Sequence, residues 1–471
     1  MAISYYEVDA GQYLSGTTGG YDATPALQAA IDEATQFGSA NLGPGVDASF
    51  RIIIPPGIYN ISTLDLTNRS GLILEGMPGN VILYGTQQTT SAPMIDLTGS
   101  IKCGLVGIRI NAENGNQQPP AVRPSTGVLL GATGRGDQNY MHSCQTDFFF
   151  AGPAITMIGV WECVFRDCVF RTQVDFPTLY ISGTANFYGI TSPFQTLTPV
   201  RSRMNSFYNC EIHAYPPTPP KPLPTTYLPA VELQGTRATR FFGCTTTATE
   251  NHFKMDNSNR NVTIVGHKSF SFYPNPPFDP AVFQAKAFMT AVSGTQTDTT
   301  IQNVDFLEEG FGDGLNAVSG TMVRSVSGGT WNRLDIRSVD GKFFRGTDAQ
   351  YITSHRNLTV GGSALIPAMA SRYLGQSIVS TTEGPAQVPM TRGYVIGATV
   401  KFENAPSGGS RTFTLRKNGV NTTATWNYTS GTGSTVTFEP IAFNNGDLLS
   451  VLTTSTSTSI QNFIWVSLFI V

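Results

Sequence analysis

Along the middle of the chain an apolar residue is followed two positions later by glycine, and the phrase recurs as Leu97/Gly99, Leu129/Gly131, Met157/Gly159, Ile181/Gly183, Leu233/Gly235, Val292/Gly294 and Val318/Gly320. In the remaining slot Met255 is followed by Asn257, and asparagine is the non-glycine residue that best tolerates a left-handed backbone. A second ladder runs in phase with the first: Phe165/Cys168, Phe207/Cys210 and Phe241/Cys244, with Met141/Cys144 before them and Ile264/His267 and Ile301/Val304 after. The shortest steps, Gly159 to Gly183 and Gly235 to Asn257, are 24 and 22 residues. That is too short for a helix pair per repeat and suits a few short strands and turns. A coil that returns above itself at this interval, with strands about 4.8 Å apart, is a parallel β-helix. Stacking then places Cys144, Cys168, Cys210 and Cys244 in one inward column, and no coil buries its apolar face without its neighbours. The Leu-x-x-Leu-x-Leu-x-x-Asn pattern of the competing leucine-rich solenoid is absent.

Both ends of the array change character. Thr24 and Pro25 form a helix start, and Leu27, Ala30, Ile31 and Ala34 fall on one face, which predicts an amphipathic helix covering the open end of the coil. A strand, a turn at Pro55 to Gly57 and a second strand follow. From about residue 366, alternating strands broken by Pro-Ser-Gly-Gly and Lys-Asn-Gly turns predict an antiparallel β-sandwich. The predicted divisions are an N-terminal arm (1–20), a capping helix with its lead-in (21–50), the parallel β-helix (51–365) and the C-terminal sandwich (366–471).

The segment YDATPALQAAIDEA followed by IIIPPGIYNI resembles the opening of the pectate-lyase-like right-handed parallel β-helix superfamily, as found in bacteriophage tailspikes. SRTFTLRKNGV and NNGDLLSV resemble the jelly-roll-like C-terminal domains of phage fibres and tailspikes. The resemblance implies an all-β chain that works as a homotrimer, binds a host surface polysaccharide (lipopolysaccharide or capsule) during adsorption, and in some members cleaves it. It also implies a phage tail or adaptor protein as partner, because the capping helix begins by residue 24 and leaves only the short arm 1–20 for attachment to the virion.

Charge changes this picture little. Lys and Arg (29) nearly balance Asp and Glu (32), and charged residues make up only 13% of the chain, against about 25% in ordinary soluble proteins. No cluster of basic residues in the sequence has the density a nucleic-acid partner demands. The longest apolar run, FIWVSLFIV, is far short of the roughly 20 residues that span a bilayer. The N-terminus lacks a basic and apolar leader, so synthesis in a host cytoplasm is expected. Six cysteines without Cys-x-x-Cys and five scattered histidines point to no metal site and no cofactor, and the thiols read as buried core residues.

Two sets of residues carry candidate chemistry. Alternation along strands places Glu232, which precedes Leu233, and Asp256, which follows Met255, on the outside of adjacent coils about 8 Å apart. That separation suits an inverting glycosidase pair. Lys254 should lie directly over Glu232 and hold it ionised, which weakens it as a general acid and favours a surface ion ladder. Glu250, beside His252, is a third acid. The signature motifs of polygalacturonases and of pectate lyases are both missing. The second set is aromatic. Proline-rich stretches at 116–125, 213–230 and 273–283 read as stiff projecting arms, and Tyr215, Tyr227, Tyr273 and Phe278 offer faces on which sugar rings can stack. Packing between chains of an oligomer is the competing reading of the same arms. A free glycosidase or lyase, and a purely structural virion fibre without ligand, remain the alternatives to a polysaccharide-binding tailspike.

Overall fold

A computed structural model describes residues 6–9, 22–41, 50–112, 122–131, 138–148, 150–172, 176–183, 201–214, 229–248, 251–271, 287–308, 321–325, 329–337, 356–362, 371–375, 378–390, 393–402, 409–429, 433–456 and 464–470. The chain divides into two compact units, residues 1–318 with 324–332, and residues 319–323 with 333–471.

The first unit is a parallel β-helix. Its strands form three parallel sheets of eleven, nine and nine members, called here sheets I, II and III, and the chain visits them in that order in every coil. One coil, for example, runs Val164–Arg166 (sheet I), Val169–Thr172 (sheet II) and Leu179–Ser182 (sheet III). The next runs Ser206–Tyr208, Glu211–Ala214 and Val231–Gln234.

The second ladder of the sequence is reproduced residue for residue. In sheet I Leu105, Met141, Phe165, Phe207, Phe241, Ile264 and Ile301 follow one another in register, all buried. Phe165 stacks on Phe207 with centroids 4.6 Å apart, and Phe207 on Phe241 at 4.8 Å, which is the strand spacing itself. Ile108, Cys144, Cys168, Cys210, Cys244, His267 and Val304 form the adjoining buried column, and all six cysteines are free thiols. The first ladder slips at two places. Leu130, not Leu129, pairs with Met157, and Ala291, not Val292, pairs with Met255. Gly131 therefore stays inside its strand opposite Ile158, whereas Gly99, Gly159, Gly235, Asn257 and Gly294 take positive φ at the corner.

Two further corners are made by single left-handed residues. Between sheets III and I these are Gly71, Lys102, Gln138, Glu162, Met204, Ala238, Asn261 and Asp298. Between sheets I and II they are Gly107, Ser143, Asp167, Asn209, Gly243, Gly266 and Asn303. Buried asparagines hold the III-to-I corner: Asn139 Oδ1 accepts from the Cys103 amide, Asn205 Oδ1 from that of Cys163, and Asn259 Oδ1 from that of Thr236. These bonds satisfy corner amides that no ladder reaches. Identical corners keep successive coils superposed whatever length of chain intervenes elsewhere.

The predicted helix spans Thr24–Asn41, with Asp22 Oδ1 accepting from the Thr24 amide at its start. Leu27, Ala30, Ile31 and Ala34 are all buried, as their spacing requires.

The second unit contains antiparallel sheets of four and six strands. Their inner faces supply one core, which includes Val400, Phe402, Phe413, Trp426, Val451 and Val466. Arg411–Lys417 and Val420–Tyr428 form the hairpin expected at Lys-Asn-Gly, with Asn418 and Gly419 both at positive φ, as a two-residue turn between strands demands.

Candidate functional site

Of the residues singled out in the sequence, Glu250, Tyr215, Tyr227, Tyr273 and Phe278 lie outside the described residues. Glu232 and Asp256 lie on adjacent strands of sheet III, with Glu232 opposite Lys254 and Asp256 opposite Gln234. The two-residue offset expected from the sequence is therefore present. Lys254 Nζ donates to Glu232 Oε1 at 3.0 Å, the ion pair that the register requires. Phe253 touches the inward Phe241, so Glu232 and Lys254 occupy the outer side of the sheet. That side is nevertheless withdrawn from solvent: Asp96, Leu129, Thr156, Tyr180 and Glu232 have no exposed surface, and Thr290 only 4%. Asp256 is half-buried and accepts from the Ser293 hydroxyl.

The outer side of sheet II carries a polar cluster that the sequence reading missed. Asp147, fully buried, takes Arg109 Nε at 2.5 Å and Arg171 Nη1 at 3.5 Å on its two oxygens, and Gln145 Nε2 at 2.7 and 2.9 Å. Two coils on, His213 lies 3.1 Å from Glu211 through Nε2 and 2.9 Å from the Thr247 hydroxyl through Nδ1. Burial depresses the His213 pKa against the opposing pull of Glu211, so the ring favours its neutral form. Apart from the buried Arg171 Nε, which has no hydrogen-bond partner, the charges of this network are paired with one another, as in a structural ion cluster.

Sheet I presents a different surface. Its outer side holds an open cleft of about 450 Å³ lined by Gln138, Tyr140, Met141, His142, Glu162, Val164 and Arg166. Gln138 Nε2 donates to Glu162 Oε2 at 2.6 Å, and His142 Nε2 stands 3.4 Å from Asp167, both about half exposed. One coil on, Tyr208 stacks with Phe242 at 5.4 Å, and the Arg166 guanidinium lies over the Tyr208 ring at 5.6 Å. At the corner beside the cleft Arg203 lies over the Trp161 indole at 4.7 Å. Aromatic faces, a carboxylate, amide and imidazole groups and guanidinium donors thus line one side of the coil. Such a surface offers stacking to apolar ring faces and hydrogen bonds to hydroxyls. Strand alternation predicts that Tyr140, Arg166, Tyr208 and Phe242 point outward, since their neighbours belong to the inward ladder.

The near-neutral composition, which argues against an anionic partner, also hides a local excess. Arg166, Arg201, Arg203, Arg237, Arg240 and Arg260 all belong to this face or to its entry corner. Among the described residues no group of three His, Cys, Asp or Glu side chains is placed to hold a metal ion, and no helix is long and apolar enough to cross a membrane.

No family model matches the chain, and no curated protein matches it. Solved structures do. ORF18 of Geobacillus virus E2 is 14% identical over 79% of this chain and 70% of its own, with a TM-score of 0.45. PfbA, a surface adhesin of Streptococcus pneumoniae, is 10% identical over 71% of this chain and 92% of its own, with a TM-score of 0.41. The tailspike gp49 of Acinetobacter baumannii bacteriophage Fri1, a capsular polysaccharide depolymerase, is 11% identical over 98% of this chain and 86% of its own, with a TM-score of 0.35.

Proposed function

We propose that the chain is a phage tailspike that binds a bacterial surface polysaccharide during adsorption, and that the polymer lies along the outer side of sheet I. The observation that carries the reading is the cleft beside Glu162 and Arg166 together with the Tyr208–Phe242 stack in the following coils. A solenoid repeats its outer positions every strand spacing, about 4.8 Å, so a polymer laid along the axis passes His142, Arg166, Tyr208 and Phe242 in turn. Rigid aromatic rings bind sugar faces at small ordering cost. The opening YDATPALQAAIDEA and the hairpin around Lys-Asn-Gly, which resemble those of tailspikes, support the phage role. With that role go a homotrimer, a place on the virion and attachment through the tail or an adaptor protein.

The test is a titration of the protein against purified capsular polysaccharides and lipopolysaccharides, with Tyr208→Ala alongside and new reducing ends measured in parallel. Binding weakened by Tyr208→Ala supports the reading. Binding that Tyr208→Ala leaves untouched moves the site elsewhere, and no binding to any polysaccharide leaves a structural fibre. Reducing ends released by the wild type add a cleaving step, and loss of that release in Asp256→Asn would place the step on sheet III and contradict the assignment to sheet I. Light scattering that returns 50.6 kDa, rather than three times that mass, removes the trimer.

A further inference from the structure

Charged residues are sparse in this chain, yet three arginines stand in one column. Arg203, Arg237 and Arg260 are bridged in register at the corner between sheets III and I, with Trp161 before them and Thr297 after. Each of the three precedes a left-handed residue, Met204, Ala238 and Asn261 respectively, so the corner holds all three in the same backbone setting. The turn does not require arginine, because Trp161 and Thr297 occupy the same position in neighbouring coils. Stacking like charges at the strand spacing of about 4.8 Å is unfavourable in itself. Repulsion from Arg201, burial, and repulsion from Arg260 and Arg203 lower the Arg237 pKa. Among the described residues neither these three nor Arg201 and Arg240 make a salt bridge. The Nε groups of Arg203 and Arg237 are buried without any hydrogen-bond partner. A column of cations with unpaired donors, set beside a cleft and an indole, is a surface whose counter-charge comes from a ligand.

We propose that the ligand is an acidic polysaccharide, and that Arg203, Arg237 and Arg260 pair with its acid groups along the edge of sheet I. The proposal rests on the polysaccharide reading above and narrows it to a chemical class. A guanidinium presents a planar fork of donors that matches a carboxylate or phosphate oxygen pair. Trp161 at the end of the column and the Tyr208–Phe242 stack beside it supply faces for the sugar rings between acid groups. Nucleic acid is the other polyanion with stacking faces. It is disfavoured by the sequence pI of about 6.0 and the net charge of -3, where a nucleic-acid binder carries a basic domain.

The test uses the full chain and, as probes, purified acidic capsular polysaccharides, the same polymers after carboxyl reduction, neutral capsular polysaccharides and single-stranded DNA. Each charge-assisted contact is worth about tenfold in affinity. The Arg203→Gln/Arg237→Gln/Arg260→Gln variant should therefore lose on the order of a hundredfold or more for an acidic polymer, and carboxyl reduction should cost the wild type a similar factor. The triple Arg→Lys variant, which keeps the charge but not the fork, should bind more tightly than the glutamine variant and more weakly than the wild type, and an unchanged melting temperature shows that the coil is intact. Equal affinity for acidic and carboxyl-reduced polymer, or full affinity in the glutamine variant, overturns the proposal and leaves polysaccharide binding standing. Failure of the wild type to bind any polysaccharide overturns both readings. Tighter binding of single-stranded DNA than of any glycan, abolished by the glutamine variant, replaces the polysaccharide with a nucleic acid.

Discussion

Phe207 lies flat on Phe165, with 7° between the ring planes and 4.6 Å between their centroids. The same ring is covered on its other side by Phe241 at 4.8 Å. A phenylalanine enclosed by its own equivalents in the coils above and below cannot be replaced by relaxation of one neighbour. Phe207→Ala should cost about 4 kcal/mol, the middle of the range for burying a cavity of this size. A fall in the urea midpoint without a change in slope is the expected result.

The cysteine column gives a chemical readout of the same stacking. Burial together with the sulphurs of Cys144 and Cys210 raises the Cys168 thiol in that column, and burial pushes the Cys103 thiol, at the corner between sheets III and I, up to about 11. Deprotonated thiol is the reactive form. All six thiols are buried beyond the reach of a reagent, whichever way their neighbours shift them, so a thiol reagent should label none of them in native protein and all six in denaturant without prior reduction.

At the top of that column sits His267, fully buried, with Nε2 2.8 Å from the Thr246 hydroxyl, which also lies 2.9 Å from His252 Nδ1. Burial lowers the pKa of His267 from the usual 6.5 to about 3. Above pH 6.5 the ring is neutral whether the chain is folded or not, so its burial carries no pH-dependent penalty. Below that the unfolded chain takes up a proton that the folded chain refuses, and stability falls until the pH reaches the folded value near 3. The slope contributed by His267 approaches about 1.4 kcal/mol per pH unit. His267→Val, which copies Val304 in the next coil, should remove that slope between about pH 5.5 and 4 in urea titrations.

Glu232 and Lys254 make the pair most sensitive to half-removal. Glu232 is fully buried and Lys254 keeps 24% of its side chain exposed. Lys254→Met removes the cation from a buried carboxylate and should destabilise by about 3 kcal/mol, the low end for a broken buried pair because solvent reaches the lysine side. The double variant Glu232→Leu/Lys254→Met should lose less than Lys254→Met alone, which a double-mutant cycle measures.

Much of this architecture is legible in the sequence because inward positions tolerate few side chains. Met141, Phe165, Phe207 and Phe241 announce their column, and Leu27, Ala30, Ile31 and Ala34 announce the helix. The slip at Leu129 and Leu130 was not legible, since two adjacent leucines are equally apolar and only the ladder of hydrogen bonds chooses between them. The left-handed corners at Glu162, Met204 and Ala238 were hidden as well, because none of these side chains favours that backbone and the stacked coils impose it. The arginine column escaped for a third reason. Its members lie four residues before Phe207, Phe241 and Ile264, so the apolar ladder fixes their positions, but a pattern of apolar residues says nothing about the charge at the corner before it. Asp147 and His213 were missed because their partners Arg109, Arg171 and Thr247 are a coil away.

Hydroxyl-radical footprinting in the presence of saturating host-type polysaccharide tests the central claim most directly, because it reads side chains one by one. Protection of Trp161, Tyr208 and Phe242, with Val420 on the second unit labelled as in free protein, is the predicted pattern. Unchanged labelling of those three side chains under conditions where the polymer is bound would contradict the assignment of the outer side of sheet I.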